Sequence, residues 1–135
     1  GVTIRPTAET VEMCDDPATV FRRKKDTSMG AALTMLRDGE GDAAVSAGST
    51  GALLTGATLI TKRIHGIRRA AMAPVIPNKV GGTAFIGISR PVIKAHGGSN
   101  AEAIENAVGQ AIQVAESGIT EAIAAHIDKM QLPTV

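Results

Sequence analysis

Apolar positions recur at two different spacings along the 135-residue chain, and the spacing changes abruptly at glycine and proline. Val2-Thr3-Ile4 and Thr10-Val11-Glu12-Met13 have the short, branched-apolar character of strands. Asp15-Asp16-Pro17 breaks that pattern, with Pro17 suited to an early helix position. Met29, Ala32, Leu33 and Leu36 then fall on one helical face, behind a cap at Thr27 or Ser28 and ahead of a stop at Asp38-Gly39. Asp42 to Val45 reads as a buried strand, turned by small residues into a second helix carrying Leu53, Leu54, Ala57 and Ile60 or Thr61 along one side. Gly56 inside that helix implies the close approach of another element. Lys62-Arg63 closes it, in the turn where cations favour the dipole, and His65-Gly66 makes the exit.

Ala70 to Pro77 predicts another buried strand, Asn78 to Thr83 a loop, and the run before Lys94 a further buried strand. Ser99 and Glu102 form a capping-box pattern for a helix over Asn100–Glu116, striped by Ile104, Ala107, Val108, Ala111, Ile112 and Ala115. Gly118 interrupts, and Ile119, Ile123, Ile127 and Met130 mark a last helix. Alternating strand and helix signals predict one α/β domain over 1–135, a three-layer α/β/α arrangement with a mostly parallel sheet.

Composition narrows the function classes. A net charge of +1 offers no broad cationic surface, and the absence of Trp and Tyr removes the usual base-stacking platforms, so nucleic acid is not an expected partner. Cys14 is the single cysteine, which rules out an internal disulfide, fits a reducing cytoplasm, and reads as a half-buried small hydrophobe. Gly1 to Arg5 lacks the basic-then-apolar start of a secretory signal. The uncharged window Ala43 to Thr61 is nearly long enough to span a membrane, but its Gly, Ser and Thr content argues against a lipid-facing helix. No His, Cys or Asp spacing suggests a metal site, and no cofactor is expected.

The stretch SAGSTGALLTG, Ser46 to Gly56, admits two readings. A tight strand-to-helix turn exposes backbone N–H groups at the positive end of a helix and can hold phosphate or an oxyanion. Gly48 and Gly51 would let the main chain approach such a ligand, while Ser46, Ser49 and Thr50 add hydroxyls. Alternatively, the small residues serve close helix–sheet packing. The stretch matches neither a phosphate-binding loop ending in Lys-Ser/Thr nor a G-x-S-x-G elbow. Two other stretches lend weight to an anion: Arg22, Arg23, Lys24 and Lys25 before a capped helix start, and Lys94 and His96 between a strand and a cap. A solvated cationic face and a structural histidine remain the competing readings.

With these stretches in view, the chain resembles the PlsX-type phosphate acyltransferases of bacterial phospholipid synthesis. The likeness rests on VEMCDDPATVFRRKKDTSM (Val11 to Met29), IHGIRRAAMAPVIP (Ile64 to Pro77), GDAAVSAGSTGALLTGAT (Gly41 to Thr58) and GISRPVIKAHGGSNAEAIENAV (Gly87 to Val108). Many members have Asn where Ser49 stands. The resemblance implies a Rossmann-like fold related to phosphotransacetylase and isopropylmalate dehydrogenase-like folds. It implies transfer of a fatty acyl group from acyl carrier protein to inorganic phosphate. Lys25, His96 and Ser49 are then the expected catalytic residues, with Lys24, Asp26, Ser28, Ser46, Gly48, Thr50, Gly51 and Lys94 contacting phosphate or substrate, and no metal. It further implies a cytoplasmic homodimer, peripheral at the inner membrane face, that supplies an acyl-phosphate-using glycerol-phosphate acyltransferase. Arg63, Arg68 and Arg69 are candidates for docking the acidic carrier. The family's N-terminal strand and long middle region have no counterpart here, so a join is expected near 78–82, making the domain incomplete. A coenzyme A-dependent phosphotransacetylase type and a non-catalytic phosphate- or nucleotide-binding module are the alternatives.

Overall fold

Thr27 sets where the first long helix begins. Its backbone is extended, its side chain is fully buried, and its Oγ1 accepts a hydrogen bond from the Gly30 amide at 3.1 Å. That satisfies one of the orphan donors of helix α2, Ser28–Asp38. At the other end Gly39 adopts φ 79°, and the amides of Gly39 and Glu40 fold back onto the carbonyls of Leu36 and Met35. Met29, Leu33 and Leu36 are buried as expected, whereas Ala32, at the rim of the stripe, is exposed.

These observations come from a computed structural model that describes residues 1–74 and 82–130. The remaining elements are α1 (Val20–Arg23), β1 (Ala44–Ser46), α3 (Thr50–Gly56), β2 (Ala71–Pro74), β3 (Gly82–Ile86), β4 (Val92–Ala95), α4 (Ala101–Glu116) and α5 (Ile119–His126). A π-helical turn, Ala57–Thr61, continues α3, and a 3₁₀ turn, Ile127–Met130, follows α5. The expected join at 78–82 lies, Gly82 apart, outside the described residues.

The four strands form one sheet in the order β1-β4-β3-β2. Only β1 and β4 are parallel, with Ala44 opposite Val92 and Ser46 opposite Lys94; β4–β3 and β3–β2 are antiparallel. The sheet is therefore mixed, which corrects the expectation of a mostly parallel one. Connection length accounts for the β3–β4 pair: five residues separate these strands, whereas a parallel crossover needs a dozen or more. Three layers are present. Leu33, Leu36, Leu53 and Ala57 pack with Phe85 and Val92 on one face, and Ala107 and Ala111 of α4 pack with Ile93 and Ala95 on the other. Consecutive Val92 and Ile93 point to opposite faces, as the two-residue period of a strand requires, and both are fully buried.

Several expected elements differ. Neither Val2–Ile4 nor Thr10–Met13 forms a strand, because the segment finds only one bridge, Glu9 with Thr27, instead of a ladder. Val2 is 94% exposed; Val11 alone of these positions packs against the core. Cys14 is exposed, not half-buried. The strand expected to be buried over Ala70–Pro77 is an edge strand, with Ala71 and Met72 exposed; Val75 to Pro77 lie outside the described residues. Asn100, not Ser99, caps α4, its Oδ1 accepting from the Ala103 amide at 2.9 Å. Ile104, Val108 and Ile112 of the expected stripe remain exposed, since small Ala107 and Ala111 make the contact that brings α4 onto the sheet.

The exit from α3 carries an unusual backbone. The Lys62 amide bonds the Ala57 carbonyl five residues back at 2.9 Å, closing the π turn. Lys62 itself sits at φ 74°, ψ 162°, a region almost reserved for glycine. Three bonds tie this corner to the next loop: Ser89 N to Lys62 O, Ser89 Oγ to Thr61 O, and Ile64 N to Gly87 O.

Candidate functional site

Parallel pairing of β1 with β4 places their carboxyl ends side by side, the position at which open α/β sheets gather ligand-binding turns. The turn after β1 is Ala47–Ser49 and the turn after β4 is His96–Asn100. They approach each other: a Cβ added at Gly97 would lie 3.5 Å from the Ala47 carbonyl oxygen. So two of the three stretches singled out in the sequence converge.

Within the first turn, Ser46 Oγ accepts from the Gly48 amide at 3.2 Å, and Ser49 Oγ accepts from the Ala52 amide at 3.4 Å. Ser49 is buried and caps α3. Thr50 and Gly51 are exposed and lie in the first helical turn, where amides have no intrahelical acceptor. The helical run they open continues through the π turn to Thr61. The two glycines serve packing as well: a Cβ on Gly48 would meet Met29 Cε at 2.8 Å, and one on Gly51 would meet Pro17 Cγ at 3.0 Å. The packing reading therefore holds for Gly48 and Gly51, while the amides of Thr50 and Gly51 lie at the leading end of α3.

Lys94 occupies β4 opposite Ser46 and Thr83, and its ammonium bonds the Ala95 carbonyl. Burial pushes its pKa below the usual lysine value. His96, just beyond the strand, is exposed. Ser28 joins the glycine turn from another side: with Ser46, Gly48, Met29, Thr10 and Val11 it lines a concavity of about 320 Å³.

The cationic stretch lies apart. Lys24 and Lys25 line a separate concavity of about 290 Å³ with Asp26, Phe21 and Arg5. Lys24 is engaged: its Nζ sits 2.6 Å from Asp15 Oδ2 and donates to the Thr10 carbonyl at 3.0 Å. That hydrogen bond holds the Asp15 carboxyl below the usual carboxylate range and the Lys24 ammonium above the usual lysine range. Asp26 is engaged too, its carboxylate accepting from the Ala8 amide at 2.9 Å while its backbone bonds Glu9. Together they clasp the first fifteen residues to the body. Lys25 is exposed and has no ion-pair partner among the described residues. Asp15 and Gly97 are the participants that the sequence reading did not pick out. Only the acidic pair in CDDP beside the basic run signals the first, and nothing local signals the second.

Arg63, Arg68 and Arg69 line a third concavity with Leu54 and Leu59, and Arg63 donates to the Arg68 carbonyl. Among the described residues no cluster of His, Cys, Asp and Glu could hold a metal ion, and no helix is long and apolar enough to cross a membrane.

The chain matches the family described as fatty acid synthesis protein over residues 1–86 and again over 77–122. It is 49% identical over 85 residues to a phosphate acyltransferase of Clostridium kluyveri, covering 63% of this chain and 25% of that protein. Against the phosphate acyltransferase of Thermoanaerobacterium thermosaccharolyticum it is 44% identical over 86 residues, 64% of this chain and 26% of the relative. A Leuconostoc mesenteroides phosphate acyltransferase is 46% identical over 80 residues, 59% and 23% respectively. The chain therefore spans about a quarter of the length of the curated relatives it matches.

Proposed function

This chain belongs to the fatty acid synthesis protein family, and on that premise we propose that it carries part of a site moving a fatty acyl group from acyl carrier protein to inorganic phosphate. A phosphate oxygen adds to the thioester carbonyl carbon, charge collects on the carbonyl oxygen, and the carbon–sulfur bond breaks as the carbonyl re-forms. The products are acyl phosphate, for phospholipid synthesis, and the carrier's free thiol. A thiolate leaves readily, so the demands are positioning and charge stabilisation.

The observation that carries this reading is the register of β1 on β4, which sets the Ser46–Gly51 turn beside Lys94 and His96. Amides of Thr50 and Gly51 would face the oxyanion at the leading end of the helical run. Ser49, holding that end in shape, and Ser46 with Gly48 set the turn; Lys94 and His96 orient phosphate or the acyl carbonyl. Ser28 stands on the rim through the concavity it shares with Ser46. Lys25 is the cation free to recruit phosphate, whereas Lys24 and Asp26 support it through the clasp.

We read 78–82 as a join: the two family matches meet between 77 and 86. An intact mass near 13.8 kDa for the natural protein would refute that. The exposed apolar row Ile104, Val108 and Ile112 supports a covered face, in keeping with a homodimer that associates peripherally with the cytoplasmic side of the membrane.

The test is phosphate-dependent formation of acyl phosphate from palmitoyl-acyl carrier protein by the natural-length protein. Turnover that requires phosphate and prefers the carrier thioester to palmitoyl-coenzyme A is expected. Preference for coenzyme A would place it with phosphotransacetylases, and phosphate binding without turnover would leave a binding module.

A further inference from the structure

Two departures from regular backbone meet at one concavity. The helical run after Ser49 ends in the π turn Ala57–Thr61, and Lys62 follows at φ 74°, ψ 162°. Such turns within helices often mark functional positions, and strained residues cluster where ligands bind. Thr58 and Leu59 of the π turn, Leu54 and Thr55 one turn earlier, and Arg63 just past the strained residue line a concavity of about 310 Å³. Gly66, at φ 91°, then turns the chain, with the Ile67 amide bonding the Ile64 carbonyl, and Arg68 and Arg69 line the same concavity. It shares no lining residue with the concavity beside the glycine turn.

The body of the protein holds this arginine-bearing loop in place. Arg63 bridges Ile88, and its guanidinium donates to the Arg68 carbonyl. Residues 67–69 rest on Gly87, where an added Cβ would lie 2.9 Å from Ile67 Cγ2 and 3.7 Å from the Arg69 carbonyl oxygen. Every Asp and Glu of the chain lies within the described residues, yet none forms an ion pair with Arg63, Arg68 or Arg69. Gathered like charges repel, and an anion between them relieves the repulsion. A guanidinium presents a planar fork that matches the oxygens of a carboxylate or a phosphate. A carboxylate has oxygens for one such fork, whereas a phosphate monoester offers three terminal oxygens and nearly two negative charges. Beside the charge stands an apolar wall, in which Leu59 is 58% exposed. We propose that this concavity binds a phosphate monoester carrying a short apolar body, its phosphate on Arg63, Arg68 and Arg69 and its body against Leu54 and Leu59. The site does not rest on the acyl-transfer reading.

Hexyl phosphate, inorganic phosphate and hexanoate separate the contributions. Titrations of the natural-length protein, followed through the methyl resonances of Leu54, Thr55, Thr58 and Leu59, should give hexyl phosphate a Kd roughly tenfold or more below the other two. Replacing both Arg68→Gln and Arg69→Gln should weaken hexyl phosphate by a similar factor, and Arg69→Lys, which keeps the charge but loses the fork, should weaken it partway. Leu59→Asn should remove the advantage of hexyl phosphate over inorganic phosphate while sparing the latter. Phosphatidate vesicles that sediment the protein and release it to hexyl phosphate would identify a lipid headgroup as the source of the monoester; no sedimentation would identify a soluble ester. Equal affinity for hexyl phosphate and hexanoate, shifts confined to methyls near the glycine turn such as Val45, unchanged affinity in the arginine variant, or no saturable binding would each overturn the proposal. So would acyl carrier protein shifting Leu59 without competition from hexyl phosphate, which would make this face a protein-docking surface instead.

Discussion

Replacing Lys62 by glycine should stabilise the protein. Lys62 is held at φ 74°, ψ 162° because its amide closes the π turn on Ala57 and its carbonyl receives Ser89. A side-chain-bearing residue in that region costs of order 1–3 kcal/mol. Glycine removes the clash but gives the unfolded chain extra freedom, roughly 0.5–1 kcal/mol. Lys62 is exposed and forms no ion pair among the described residues, so little else is lost. The net gain is about 0.5–2 kcal/mol, which moves Tm up by a few degrees for a domain of this size. Urea unfolding should show the midpoint rising with an unchanged slope, since the surface exposed on unfolding is the same. Lys62→Ala, which retains a Cβ, should stay within about 0.5 kcal/mol of wild type. A Lys62→Gly midpoint at or below wild type would refute the claim that this corner stores strain.

Three other outcomes follow from the geometry. Gly56→Val should destabilise by about 1–3 kcal/mol in the same assay, because even a Cβ there would lie 2.7 Å from Leu33 Cδ1 and 2.8 Å from the Phe21 ring. Ser49→Ala should cost about 1 kcal/mol through loss of the cap, measurable by thermal unfolding, and should lower acyl transfer in the natural-length protein while Ser49→Asn largely restores both. The Lys24–Asp15 clasp has a depressed carboxyl and a raised ammonium, so its contribution is complete above the ordinary carboxylate pKa and below the ordinary lysine pKa. Amide exchange at Thr10–Asp15 should therefore be flat, relative to its intrinsic rate, from about pH 5 to 9. Protection should fall only as pH drops through the lowered Asp15 value or climbs through the raised Lys24 value, and a transition near neutrality would contradict this.

The elements with local signatures were legible in the sequence. Thr27 and Gly39 bracket α2 by short-range hydrogen bonding, and the Ser49 turn likewise announces α3. Strand direction was not legible, because it depends on which distant segment pairs with which. The pattern of alternation suggested parallel strands, yet the brief link between β3 and β4 allows only an antiparallel pair there. The first thirteen residues carry strand-like side chains but find no ladder. For the candidate site, the nearness of Lys94 and His96 to the glycine turn follows from the β1–β4 register, which no spacing encodes. Lys24 looked free because its partner, Asp15, lies nine positions earlier across a bend.

The strand order β1-β4-β3-β2 also governs how the chain can acquire its shape during synthesis. Of these four strands the two earlier in the sequence are the outermost, and the later two lie between them. Within these residues β1 gains its partner only from β4, and Leu33 and Leu53 keep one side open until Val92 covers it. A chain cut short of Val92 would therefore leave the apolar face of Leu33, Leu36 and Leu53 without its cover.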